Sequence, residues 1–169
     1  MTSRSPPRRR TRRSAPVTRP TPDVPPGDWT VAAYDDTNSL DATLIAGIER
    51  ATRATLHAEQ AGPIEISITC VDDAEISRLN QQYLSHDGPT DVISFPLSQP
   101  GFPPAGDVYI GIDQTRRQAA ENGVPLDEEL LRLAIHGTLH ILGWTHGEDA
   151  GASPMFARQE EILGQVIEG

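Results

Sequence analysis

The sequence predicts an α+β fold in which a mixed sheet of about four strands carries about five helices. Three observations carry this. Ile64, Ile66, Ile68 and Cys70 alternate strictly with Glu65, Ser67 and Thr69, the period of a half-buried strand. Two further runs, TDVISFPL at Thr90–Leu97 and GDVYIGI at Gly106–Ile112, are separated by a short Pro/Gly-rich loop, which favours an antiparallel pair. The segments between and after these runs carry apolar residues at helical spacing, ending in a helix that is apolar almost all round from Leu130 to Leu142.

In chain order, Trp29–Ala33 reads as a first strand. A helix follows from about Ser39 to Glu59, with Leu44, Ile45, Ile48 and Leu56 on one side and Gly62-Pro63 ending it. After the alternating strand, Asp72 or Asp73 caps a helix whose Ile76, Leu79, Asn80 and Tyr83 share a face. In the next strand Pro96 removes a ladder donor, which places that strand at a sheet edge. Asp113 starts a helix that stops at Asn122-Gly123. The apolar helix begins with Pro125 in its first turn and Asp127, Glu128 and Glu129 at its positive end, and its apolar girth sends it through the interior. Ser153-Pro154 opens a final helix carrying Phe156, Ile162, Leu163 and Val166. Cys70 is core, while His57 and His86 belong to the surface.

Residues 1–26 stand apart. They hold seven arginines, seven prolines and one acid, a charge of +6, which leaves −16 for residues 27–169 of a chain whose total is −10. So many prolines and so little apolar surface predict a disordered basic arm, followed by a single domain over 27–169. The chain has no lysine; acid excess without lysine suits a salt-rich cytoplasm, where mutual repulsion is screened within a short distance. A lone cysteine excludes an intrachain disulfide, and no apolar run approaches membrane-spanning length. A cytoplasmic protein without membrane association is the expectation.

The chemistry concentrates in HGTLHILGWTH, His136–His146. His136 and His140 lie one turn apart on the interior helix, so both imidazoles leave the same face. Gly143 can adopt the left-handed conformation that ends a helix, and the following turn brings His146 back over that face. Three imidazoles with a fourth position open is the arrangement of a catalytic zinc, and a closed thiolate site is impossible with one cysteine. Zinc, one ion per chain, is the first choice, with nickel or another divalent ion also suited to imidazole. The frame HxxxHxxGxxH is similar to the zinc-protease pattern HExxHxxGxxH, a zincin-like metal helix, except that Gly137 stands where the general base belongs. Peptide hydrolysis by that route is closed. A divalent ion still acidifies water and stabilises charge on a phosphoryl oxygen, so phosphodiester cleavage asks less of the protein. Glu148 and Asp149 follow His146 and are placed to orient a histidine or to remain solvated acids.

That histidine block, together with LNQQYLSHDGPTDVISFPL at Leu79–Leu97 and GDVYIGID at Gly106–Asp113, resembles the YbeY family of bacterial endoribonucleases, also described as ribosomal RNA maturation factors. The resemblance covers about Pro63–Leu163 and leaves the basic arm outside. It implies a zinc-bound, single-strand-specific ribonuclease that matures the 3' end of small-subunit ribosomal RNA and takes part in ribosome quality control. It implies metal ligation by His136, His140 and His146, with His136 at the catalytic centre. It further implies a catalytic contribution from Asp91, substrate contacts from Asn80, Thr90 and Ser94, and ribosomal particles or proteins as partners. One position departs: Leu84 stands where family members often carry an arginine thought to face the phosphate, and Arg78 on the same helix is the candidate substitute.

RNA binding gains most of its affinity from cations, and the −16 of residues 27–169 opposes it. The basic arm, a cleft of Arg53, Arg78, Arg116 and Arg117, or high salt are the available remedies. Two other readings stay open: a non-catalytic ribosome-assembly factor stabilised by zinc, and a metallohydrolase of a peptide or small molecule that recruits Glu148 as base.

Overall fold

The computed structural model describes residues 27–147 and 153–169; the predicted arm, Glu148 and Asp149 lie outside the described residues. Four strands form one sheet in the order β1-β2-β4-β3: β1 (Trp29–Asp35), β2 (Ile64–Val71), β3 (Val92–Leu97) and β4 (Ala105–Gly111). β1, β2 and β4 run parallel and β3 is antiparallel to β4, with Ser94 opposite Val108 and Pro96 opposite Gly106. The expected α+β architecture, the antiparallel pair and the edge position of the proline-bearing strand are all present. With β3 at the edge, the proline leaves no gap in a central ladder.

Five helices complete the described residues: α1 (Ala42–Ala58), α2 (Asp73–Leu84), α3 (Ile112–Asn122), α4 (Leu126–Ile141) and α5 (Pro154–Glu168). Their starts follow capping chemistry. The carboxylates of Asp41 and Asp72 and the hydroxyl of Ser153 accept from the backbone N–H of Leu44, Glu75 and Phe156. Gly123 ends α3 in the left-handed conformation, φ +66°. Pro125 is the residue before α4 rather than its first turn, a one-residue difference within the usual uncertainty of helix ends.

The alternation of β2 sorts the two faces of the sheet. Ile64, Ile66, Ile68 and Cys70 join Val108 and Ile110 of β4 in a core closed by Ile48 and Leu56 of α1, Leu130 to Leu139 of α4, and Met155, Ile162 and Leu163 of α5. Burial pushes the Cys70 thiol up to about 12, so it is an inert core residue. α2 covers the opposite face through a smaller cluster of Val71, Ile76, Leu79 and Ile93, edged by Phe95 and Tyr109. Two side chains depart from the apolar stripes read in the sequence. Tyr83 is 57% exposed, lying edge-on to Phe95 with ring centroids 5.0 Å apart, and Phe156 is 50% exposed while its neighbour Met155 enters the core. Both lie at the border of their stripe, where a ring can rest on a neighbour and keep an edge in water.

α4 lies unusually close to the sheet, and two glycines permit it. A Cβ at Gly137 would stand 2.5 Å from Val108 Cγ1 and 3.1 Å from Ser94 Oγ; one at Gly106 would stand 2.6 Å from Ile141 Cγ2. The helix therefore presses on β4 at Gly137 and again one turn later, which fixes the direction in which its flanking residues point.

Candidate metal centre

His136 and His140 leave α4 beside Gly137. The helix ends in a Schellman turn: Gly143, at φ +91°, donates its N–H to the His140 carbonyl at 2.9 Å, and Trp144 N–H reaches the Leu139 carbonyl at 3.0 Å. The chain reverses and delivers His146. Nε2 of His140 stands 3.1 Å from Nε2 of His136 and 3.0 Å from Nε2 of His146. Among the described residues these three form the one group of potential ligands, all donor atoms lying within 4.8 Å of one another.

The partners on the other ring nitrogens give this geometry its meaning. His140 Nδ1 lies 2.9 Å from the Trp144 carbonyl, which can only accept, so Nδ1 carries the proton. His136 Nδ1 lies 2.7 Å from Gln159 Oε1, and the Gln159 amide nitrogen is occupied in donating to Glu160 Oε1 at 3.0 Å. The amide oxygen therefore faces the imidazole, and His136 is also protonated on Nδ1. Both Nε2 atoms carry bare lone pairs directed at each other across 3.1 Å, with no proton between them. Two facing lone pairs repel, and a cation between them turns repulsion into ligation. Tetrahedral zinc with imidazole nitrogens at about 2.0–2.1 Å sets neighbouring ligands about 3.3 Å apart. The observed spacing fits a divalent ion with minor adjustment. Burial lowers the pKa of both His136 and His140, chiefly by disfavouring the charged form, which keeps them as neutral donors.

The glycine in place of the protease glutamate now has a physical cause. Position 137 faces Val108 and Ser94, so no side chain there reaches the ion without pushing helix and sheet apart.

The other predicted residues divide. Asp91 lies beside His136 in the lining of a cleft of about 160 Å³ whose other walls are Glu129, Arg132, Leu133, Phe156 and Gln159. Its carboxylate accepts from Val92 N–H at 2.8 Å, the Thr90 hydroxyl at 3.3 Å and the Gln118 amide at 3.2 Å. Ser94 reaches the centre from below, its hydroxyl donating to the Gly137 carbonyl at 3.2 Å. Asn80 is buried and donates to the Gly88 carbonyl at 3.0 Å, shaping the loop before β3. Arg78 is not brought to the histidines: α2 covers the other face of the sheet, and its guanidinium is held by Glu75 at 2.6 Å and 2.9 Å and by Gln82 at 2.7 Å. Three of the four arginines of the proposed cationic cleft are paired with carboxylates, Arg78 among them. Arg116 pairs with Asp113 and Arg117 with Asp73, while Arg53 donates to the Trp29 carbonyl.

Sequence reading missed the supports. Glu59, at the end of α1, accepts the Trp144 indole N–H and the Arg158 guanidinium, each at 2.8 Å, and so pins the turn whose carbonyl orients His140. Gln159 does the same for His136. A signal existed for the second: Gln159 is a polar residue within the stripe Met155, Gln159, Ile162, Leu163 and Val166, where burial of an amide demands a partner.

Comparison with known proteins settles the family. The chain matches the family described as endoribonuclease YbeY over residues 30–167. The chain belongs to the YbeY family. An endoribonuclease YbeY of Moorella thermoacetica is 44% identical over 135 residues, 73% of this chain and 86% of that relative. One from Geobacillus kaustophilus is 40% identical over 144 residues, 78% of this chain and 92% of the relative. A solution structure of a Thermotoga maritima protein superposes with a TM-score of 0.60 at 26% identity, covering 82% of this chain and 90% of that one. The YbeY match begins at Thr30, so the arginine-rich segment lies outside it.

Proposed function

We propose that this chain is a divalent-metal-dependent endoribonuclease of single-stranded RNA, with zinc as the resident ion. Its substrate is the 3' region of the small-subunit ribosomal RNA precursor, met on ribosomal particles in the cytoplasm. The relatives' shared description as endoribonucleases supports the reaction class. The observation that carries the metal is the convergence of three Nε2 atoms with the tautomers of two fixed by acceptors. A divalent ion there supplies Lewis acidity, polarising a phosphoryl oxygen and lowering the pKa of water. The chain's own residues do the rest. His136, His140 and His146 hold the ion, and Asp91 lines the cleft beside His136, where a carboxylate can accept a proton. Thr90 and Gln118 keep that carboxylate directed, and Ser94 braces the helix beneath it. No helix of the described residues is long and apolar enough to cross a membrane.

The deciding assay incubates purified, zinc-loaded protein with single- and double-stranded RNA of one sequence. Cleavage confined to the single strand, lost in Asp91→Asn, supports the proposal. Equal cleavage of both substrates, or none, contradicts it. Products ending in a 2',3'-cyclic phosphate identify the ribose hydroxyl as nucleophile, and 5'-phosphate with 3'-hydroxyl ends identify water.

One observation favours the assembly-factor reading. Arg78, Arg117, Arg132 and Arg158 are all committed to carboxylates, and Leu84 is an exposed aliphatic. Loss of folding on zinc removal, with no cleavage in either form, supports that role.

A further inference from the structure

Gln159 is only 3% exposed, yet it sits on the apolar stripe by which α5 enters the core. Its two ends face different chemistry. The amide oxygen accepts from His136 Nδ1 at 2.7 Å, and the amide nitrogen donates to Glu160 Oε1 at 3.0 Å. Glu160 is held in turn by Arg132 Nε at 2.9 Å, one turn before His136 on α4, and Arg132 is fastened to Glu128 at 2.8 Å and to Glu129, about a turn further back on the same helix. The string of contacts leaves the helix at Arg132, crosses to α5 and returns to the helix at His136. Nothing in the apolar packing of α5 requires it, and hydrophobic side chains fill the neighbouring positions of the same stripe.

We propose that Gln159 is a positioning residue for the metal centre, oriented by the Glu160–Arg132 pair so that His136 is protonated on Nδ1 and offers Nε2 to the ion. The inference rests on the metal-dependent reading above. An amide is nearly symmetric in shape, and a flipped Gln159 would present its NH₂ to Nδ1, move the imidazole proton to Nε2 and block ligation. The Glu160 carboxylate, an acceptor only, removes that ambiguity by claiming the NH₂. Arg132 holds the carboxylate in place and offsets its charge. Glutamine also differs from the carboxylate partner common behind metal-bound histidines, because it fixes the tautomer without passing negative charge to the ligand.

Two variants test this with two readouts. Gln159→Leu removes both hydrogen bonds at similar volume, and Glu160→Gln, at a half-exposed position, frees the amide to flip while sparing the core. Long-range ¹⁵N–¹H spectra of the metal-free proteins, taken well above the imidazole pKa, report the His136 tautomer. Competition with a chelator reports zinc affinity. The expected result is a pure Nδ1–H tautomer in the wild type, mixed tautomers in both variants, and zinc binding about 10- to 100-fold weaker in Gln159→Leu, the range seen when a metal ligand loses its hydrogen-bond partner. Glu160→Gln should fall between the two and serves alone if Gln159→Leu does not fold. Unchanged tautomer and affinity in Glu160→Gln, with a wild type that binds zinc, overturn the relay and leave the metal reading standing. A wild type that takes up no zinc, yet shows the tautomer shift in both variants, overturns the metal reading while upholding the hydrogen-bond relay.

Discussion

Replacing Gly137 by alanine sets two effects of known sign against each other. In a helix interior the change from glycine to alanine should stabilise by about 1 kcal/mol, because alanine loses less backbone entropy on folding. Here the added Cβ meets Val108 Cγ1 at 2.5 Å, where ordinary contact begins at 3.4 Å. Val108 is fully buried, branched at Cβ and held in a strand paired on both sides, so it cannot turn away. Helix and sheet must separate by nearly an ångström, and such overpacking costs roughly 1–3 kcal/mol. The net expectation is a loss of about 1 kcal/mol in the metal-free protein, with zinc affinity falling as His136 and His140 shift with the helix. Gly164 supplies the control. It lies within α5, and a methyl group added there would find no neighbour within 4 Å, so Gly164→Ala should gain about 1 kcal/mol and leave zinc binding unchanged. Urea midpoints of both variants, measured with chelator present, decide the matter. If Gly137→Ala stabilises as much as Gly164→Ala, the close packing of α4 on β4 does not explain the absent glutamate.

Further expectations concern charge. Burial holds His136 and His140 below the ordinary imidazole value of 6.5 in the folded protein, so the unfolded chain takes up protons first as the pH falls. Metal-free protein should therefore lose stability from about pH 6.5 downward until the depressed values are passed, and more steeply than His136→Asn/His140→Asn; parallel curves would refute the assignment. The −16 of residues 27–169 predicts a melting temperature that rises between 0.1 and 1 M salt, as the screening length shortens from about 10 Å to about 3 Å. A fall would exclude the salt-adapted interpretation. Deleting residues 1–26 should weaken RNA binding and flatten its dependence on salt, since six net positive charges are lost; unchanged affinity would remove the arm from the binding account.

The fold was largely legible because its signals are local. Strict alternation marked β2, Pro96 marked an edge, and Asp72 and Gly123 sit where helix-capping chemistry needs them. The histidines were legible for the same reason, since a four-residue spacing and a glycine turn determine where their side chains go. What the sequence concealed was long-range. Glu59 reaches Trp144 across 85 positions and Gln159 reaches His136 across 23, and no periodicity announces such pairs. Arg78 is a different case. Nearness to the family's arginine position along α2 suggested a substitute, and in the structure its guanidinium pairs with Glu75, one turn away on the same helix. Gly137 reads from sequence as a missing base, and only the packed sheet behind it explains why no side chain stands there.

The proposed function stands on three imidazoles that hold one divalent ion needed by the ribonuclease reaction. The most direct measurement is zinc stoichiometry by equilibrium dialysis, paired with the RNA cleavage rate, for the wild type and for His136→Ala, His140→Ala and His146→Ala. The expected result is one zinc per wild-type chain, sharply weakened binding in each variant, and cleavage that falls in step with occupancy. A wild type that cleaves RNA at full rate without metal, or a His140→Ala variant that retains both its zinc and its activity, would contradict it.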